Sequence, residues 1–165
     1  MHKTYAIRKA TIEDIPDIIR LRRLMFTWMN YSDSAILDAT DKANEVYFFN
    51  AIPEGTFHGW VAESNNKIIA TGGLVIDHHP PGPSNLTGKL GYIMNMSVEP
   101  EFRKQGIAKE LFKTILLFLK ENNIVMSSLH ATDMGRKLYE KFGFSSTNEM
   151  RVNLTFLLSE DIIKL

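Results

Sequence analysis

The chain of 165 residues contains no cysteine. Disulfides, thiol nucleophiles and cysteine-ligated zinc are therefore excluded, and a reducing cytoplasm suits the composition. It also lacks net charge, because 19 Lys+Arg offset 19 Asp+Glu, so no overall field favours nucleic acid or an anionic membrane. No apolar run approaches the roughly 20 residues needed to span a bilayer. Met1-His2-Lys3-Thr4-Tyr5 has none of the apolar core of a signal peptide. These absences predict a soluble cytoplasmic protein. Neither Gly-x-Gly-x-x-Gly nor Gly-x-x-x-x-Gly-Lys-Ser/Thr occurs, which removes the common dinucleotide and P-loop readings. His78-His79 lacks the i,i+4 helical spacing of a zinc pair, so no metal is expected. Repeats, low-complexity tracts and linkers are missing too, so residues 1–165 are expected to form a single domain.

What is present reads as alternating strands and helices. Tyr5 to Lys9 is a first strand, followed by a helix capped at Thr11 and running to about Arg23, with Ile15, Ile18 and Ile19 buried. A second helix is predicted from Ser34 to about Ala51. Thr56–Glu63 and Lys67–Asp77 form a hairpin around Ser64-Asn65-Asn66. Lys89–Val98 reads as the central strand. Gly106–Asn122 is the surest helix, with Ile107, Ala108, Leu111, Ile115, Phe118 and Leu119 on one face. A buried strand is predicted at Ile124–Leu129, then a helix starting at Thr132 and ending before Gly143. Phe144–Thr147 and Met150–Phe156 are predicted to close the chain as a hairpin. A parallel crossover over residues 89 to 130 among hairpins makes the sheet mixed.

The most informative segment is Met96-Ser97-Val98-Glu99-Pro100-Glu101-Phe102-Arg103-Lys104-Gln105-Gly106-Ile107-Ala108. An apolar strand ends, a turn opens, and Arg-x-x-Gly-x-Ala leads into an amphipathic helix. The free N–H groups and partial positive charge of a helix start attract phosphate, and Gly106 lets an oxygen approach the backbone. This segment resembles the acetyl-CoA pyrophosphate loop of the GNAT superfamily of N-acetyltransferases. Leu138-Tyr139-Glu140-Lys141-Phe142-Gly143-Phe144 resembles a second motif of the same family, in the family's order.

The resemblance implies an α/β acyl-CoA N-acyltransferase fold, with about seven strands in a mixed twisted sheet and about four helices. It implies acetyl-CoA as cosubstrate, held by Arg103, Lys104, Gln105, Gly106, Ile107 and Ala108. Main-chain groups of Met96, Ser97 and Val98 would pair with the pantetheine arm as a neighbouring strand does. Thr132 stands where relatives commonly have an Asn. Tyr139 is implied as the donor to the departing thiolate, since a phenol near pKa 10 is protonated at neutral pH. Its other reading is a half-buried ring with the hydroxyl at the surface. The segment between the first two helices borders the acceptor in this family, which points to Phe26, Trp28, Met29 and Tyr31. Ordinary packing of an aromatic helix end explains them equally well.

One departure matters for the chemistry. A lysine-like amine is neutral only about one part in a few thousand at pH 7, a cost of about 4–5 kcal/mol. Many relatives place a Glu on the central strand to receive that proton, but here the place holds Met94, whose thioether is no base. Ordered water, a less basic amine, His130, Asp77, His78 or His79 are the substitutes. The resemblance thus predicts an N-acetyltransferase acting on a small primary amine or a protein amine by direct attack. Met94 keeps alive a non-catalytic acetyl-CoA sensor or interaction module. The partners expected are acetyl-CoA and an amine, without nucleic acid or membrane, and a homodimer is left open.

Overall fold

Two asparagines close the first hairpin. Asn65 and Asn66 both take positive φ, 49° and 59°, the geometry of a two-residue turn whose twist matches its strands. The computed structural model, described here over residues 5–153, thereby pairs β2 (Phe57–Ser64) with β3 (Lys67–His78). With β1 (Ala6–Lys9), β4 (Lys89–Val98) and β5 (Met126–Leu129) they form one sheet in sequence order. Neighbours β1 to β4 are antiparallel, and β4 and β5 are parallel. The expected mixed sheet is present, with five strands among the described residues instead of about seven.

Four α-helices among the described residues flank the sheet: α1 (Ile15–Trp28), α2 (Ser34–Glu54), α3 (Ile107–Glu121) and α4 (Asp133–Glu140). Ile15, Ile18, Leu21 and Phe48 of α1 and α2 pack with Phe57, Val61 and Ile68 on one face. Ile107, Leu111, Phe112, Ile115 and Leu119 of α3 pack with Trp60, Leu74, Ile93 and Tyr139 on the other. Asp14 ties β1 to α1: it accepts from Arg8 Nη1 and Nη2 at 2.7 and 2.8 Å and from the Thr11 amide at 2.8 Å.

Three sequence expectations need correction. The first helix does not stop near Arg23 but continues through Phe26 and Trp28; the chain turns at Asn30, in the left-handed region at φ 68°. The strand expected from Ile124 begins at Met126 and is only partly covered. Ile124 is buried because it belongs to the end of α3: its amide donates to Leu119 O and the Asn123 amide donates to Lys120 O, the paired bonds of a Schellman motif. Phe144–Thr147 is not a strand, since Phe144 instead lays its ring against Phe112 and Tyr139. Of the other half of that hairpin, residues 150–153 have no regular structure and the rest lies outside the described residues.

Candidate active site

The site grows from an irregularity in β4. Thr71 of β3 faces Ser97, yet Gly73 faces Met94, so β4 carries one extra residue there. Asn95 supplies the bulge at φ 56°, a conformation that asparagine tolerates better than most residues. Pairing with β5 covers only Leu90 to Ile93. Past Ile93 the β4 edge has no partner strand among the described residues. Met96 and Val98 therefore offer main-chain groups to an extended ligand, while their side chains pack toward α3. Ser97 is buried.

The loop after β4 ends in a row of open donors. A one-turn 3-10 helix, Pro100–Phe102, leads to Lys104 at φ 60° and Gly106 at φ 86°. The first helical bond of α3 runs from the Glu110 amide to Gly106 O at 3.1 Å. The amides from Lys104 to Lys109 donate to no acceptor among the described residues. A Cβ built on Gly106 meets nothing within 4 Å, so the cradle has room for an anion's oxygens. These residues fit a pyrophosphate. The Ile107 side chain is buried beneath the loop and Gln105 Nε2 donates to Glu101 O at 3.2 Å.

Arg103 is engaged by neighbouring groups of the chain. Its Nε donates to Val98 O at 3.0 Å and its guanidinium lies 4.3 Å above the Trp28 ring. It folds back on the end of β4, occupies one of the carbonyls expected for the pantetheine arm, and does not point into the loop's amide row. Trp28 is thereby placed beside this loop. Thr132 Oγ1 accepts from the Gly135 amide at 3.3 Å as the N-cap of α4, which leaves its hydroxyl hydrogen for another partner.

Tyr139 sits on the α3 face of the sheet. Its ring lies 5.0 Å from Phe112 and 6.4 Å from Phe144. Burial pushes the phenol above its ordinary value. The half-buried reading is therefore incorrect for the ring, which is 9% exposed. No residue among those described hydrogen-bonds its hydroxyl. Gly135 makes the ring's position available, since a Cβ there would stand 2.8 Å from Tyr139 Cε2.

The opposite face of β4 carries the acceptor candidates. Met94 packs with the α1–α2 cluster. Tyr92 hydrogen-bonds His130 Nδ1, so the histidine at the end of β5 is tied to the central strand. Arg22 of α1 donates to the Asn95 side-chain oxygen and lies 4.7 Å above the Phe26 ring. Desolvation lowers the Arg22 pKa and raises that of Tyr47 on α2, which also senses Asp77. Phe26 stacks edge-on with Tyr31 at 5.9 Å; Met29 and Tyr31 are exposed beyond the end of α1. His78 and His79 sit at the exposed end of β3 and in the following loop. No group of three or more potential metal ligands is found among the described residues, and no helix among them is long and apolar enough to cross a membrane.

Arg22, Tyr47, Tyr92 and Asn95 escaped the sequence reading. The only signal for the bulge was an asparagine inside an apolar strand.

Known proteins share this architecture. The acetyltransferase (GNAT) domain model matches residues 55–146. N-acetyltransferase 8B of Homo sapiens is 32% identical over 127 residues, covering 74% of this chain and 52% of that protein. N-acetyltransferase 8 of Rattus norvegicus is 30% identical over 141 residues, 82% of this chain and 60% of that one. The chain spans about half the length of the curated relatives it matches. A crystal structure of a predicted acetyltransferase with acetyl-CoA from Clostridium acetobutylicum superposes with a TM-score of 0.84 at 34% identity, covering 92% of this chain and 97% of that one. A GCN5-related N-acetyltransferase from Ralstonia eutropha JMP134 gives 0.84 at 32%, covering 92% and 99%. The bulged central strand, the amide row before α3 and these likenesses agree: the chain belongs to the GNAT family of acetyltransferases, whose cosubstrate is acetyl-CoA.

Proposed function

We propose that this chain works as one N-acetyltransferase domain, moving the acetyl group of acetyl-CoA to an amine, either a small primary amine or a protein amine. The observation that carries the reading is the open β4 edge from Met94 to Val98, running directly into the unpaired amides of residues 104–109. An extended amide arm matches the first and a pyrophosphate matches the second.

In this reading the amine nitrogen attacks the thioester carbon from the α1–α2 side of β4. The carbon–sulfur bond breaks and the thiolate takes a proton from the Tyr139 hydroxyl. A buried phenol with a raised pKa keeps that proton until the sulfur gains charge. Met94 cannot take the proton released by the ammonium. The Tyr92–His130 pair stands at the end of the β4–β5 pairing and supplies the exit, with exposed His130 passing the proton to water.

The test is release of free CoA thiol from acetyl-CoA in the presence of amines, including peptides and polyamines. Turnover with any amine supports the reading. Binding of CoA without turnover across the panel would favour a non-catalytic acetyl-CoA sensor.

A further inference from the structure

Helix α1 carries three arginines close together, and their partners differ. Arg20 meets Asp17 and Glu99, and also donates to Ile68 O. Arg23 meets Asp38 and Asp41. Arg22, the most desolvated of the three, has no carboxylate within salt-bridge reach among the described residues. Its contacts are the Asn95 oxygen and the face of Phe26, neither of which cancels a charge.

The donors around it are in surplus. Arg22 Nε and Asn95 Nδ2 are both sealed from solvent without an acceptor, while Nη2 is unbonded and not sealed. A desolvated cation with unmatched donors is costly to keep and is retained where a ligand supplies the missing anion. The titratable groups that act on it are Tyr47 and Tyr92, and Asp77 acts in turn on Tyr47. Tyr92 lies on β4, two residues before Met94, and Tyr47 on α2, the side assigned above to the acceptor.

We propose that Arg22 recognises a carboxylate on the acceptor, so that the substrate class is a primary amine bearing a carboxylate, as in an amino acid. This rests on the function proposed above. A carboxylate offers only acceptors and supplies the missing counter-charge through a charge-assisted hydrogen bond from the open Nη2. The tyrosine hydroxyls of Tyr47 and Tyr92 flank the charge without competing for it. Arg151 also reaches Tyr92, so a phosphate dianion is the competing anion and is carried as a separate arm of the test.

The experiment compares matched acceptors: free L-amino acids, their amides and the corresponding decarboxylated amines, with O-phosphoethanolamine as the phosphate arm. The wild type is expected to prefer the carboxylate form over the amide by about tenfold to hundredfold in kcat/KM, the scale of one charge-assisted hydrogen-bonded contact. Arg22→Met should collapse that ratio towards one, chiefly through KM, and Arg22→Lys should restore part of it. A ratio preserved in Arg22→Met overturns the proposal, as does a wild type that ignores the carboxylate or prefers the phosphate arm. Absence of turnover with every acceptor would fail the proposed function instead. The carboxylate assignment is then decided at equilibrium, by whether an amino acid raises the melting temperature of the CoA complex more than its amide does, and whether Arg22→Met abolishes the difference.

Discussion

Tyr139 has its ring held between Phe112 and Phe144 while its hydroxyl has no partner among the described residues, so the ring packs and the proton is free to act. Tyr139→Phe keeps that packing and removes only the hydroxyl. Turnover with acetyl-CoA should fall by about a hundredfold to ten-thousandfold, with CoA affinity little changed. Steady-state rates at saturating amine check this, and a Phe variant equal to the parent assigns the donor elsewhere. The raised phenol pKa also puts the alkaline limb due to this group above the ordinary value of 10.0. Gly106 is a second test at this scale. Its φ of 86° strains any side chain and a β-branched one most, although the space around it is open. Gly106→Val should cost CoA affinity at least tenfold, and its backbone strain of about 1–3 kcal/mol should lower the melting temperature of the free protein by several degrees without unfolding it; calorimetric titration and thermal unfolding read the two separately. Both residues are candidates from the sequence alone because their motifs join a residue type to a position. Arg22 is not. Nothing in Arg20-Leu21-Arg22-Arg23 says which guanidinium finds an acid, since the partners Glu99, Asp38 and Asp41 arrive from elsewhere in the chain.

Elements with strong local signals were read closely. Strand β4 runs from Lys89 to Val98 as expected, and α3 differs from expectation by one residue at each end. The misses share a cause, which is that boundaries depend on tertiary contacts. The aromatic run Phe26-Thr27-Trp28 resembles a loop in isolation. Stacking of Phe26 under Arg22 and of Trp28 under Arg103 holds it helical. The bulge at Asn95 was hidden because Ile93-Met94-Asn95-Met96-Ser97-Val98 still alternates adequately. Where α1 enters, the joint is electrostatic. Asp14 is 5% exposed and the Arg8 guanidinium, foremost, holds its carboxyl below the usual range. A carboxyl depressed in the folded state contributes stability above its unfolded value near 3.8 and loses it as pH falls through the folded value. Asp14→Asn should therefore destabilise by about 1–3 kcal/mol at neutral pH, with the difference from the parent shrinking in acid. Urea unfolding at pH 7 and below pH 3.8 measures it. An equal difference at both pH values would mean that the charge is immaterial.

On the scale of the whole molecule, the proposed chemistry is divided between the two faces of the sheet. Cofactor loop, α3 and Tyr139 occupy one side, and α1, α2, Arg22 and Met94 the other. The two come together along the end of β4, where it bulges and parts from β5 and where Trp28 of α1 stacks under Arg103, so a ligand lying along that edge touches both halves. This leads to a prediction about stability as well as binding. A ligand that binds only the folded chain stabilises it by mass action, by about 2.7 kcal/mol at a hundredfold excess over its dissociation constant. For a chain of this size that corresponds to roughly 5–11 °C in melting temperature. The protection should also have a pattern. Amides among residues 94–98 that face the open edge, together with those of 104–109, have no partner strand or helical acceptor and should exchange fast in the free protein. Saturating CoA should slow them, while the hairpin of β2 and β3, already paired along its length, changes little. Hydrogen exchange with and without CoA reads both regions in one experiment. Protection spread evenly over the sheet would indicate general tightening, whereas protection of the β4 edge and the loop alone identifies the ligand as the missing neighbour of the central strand.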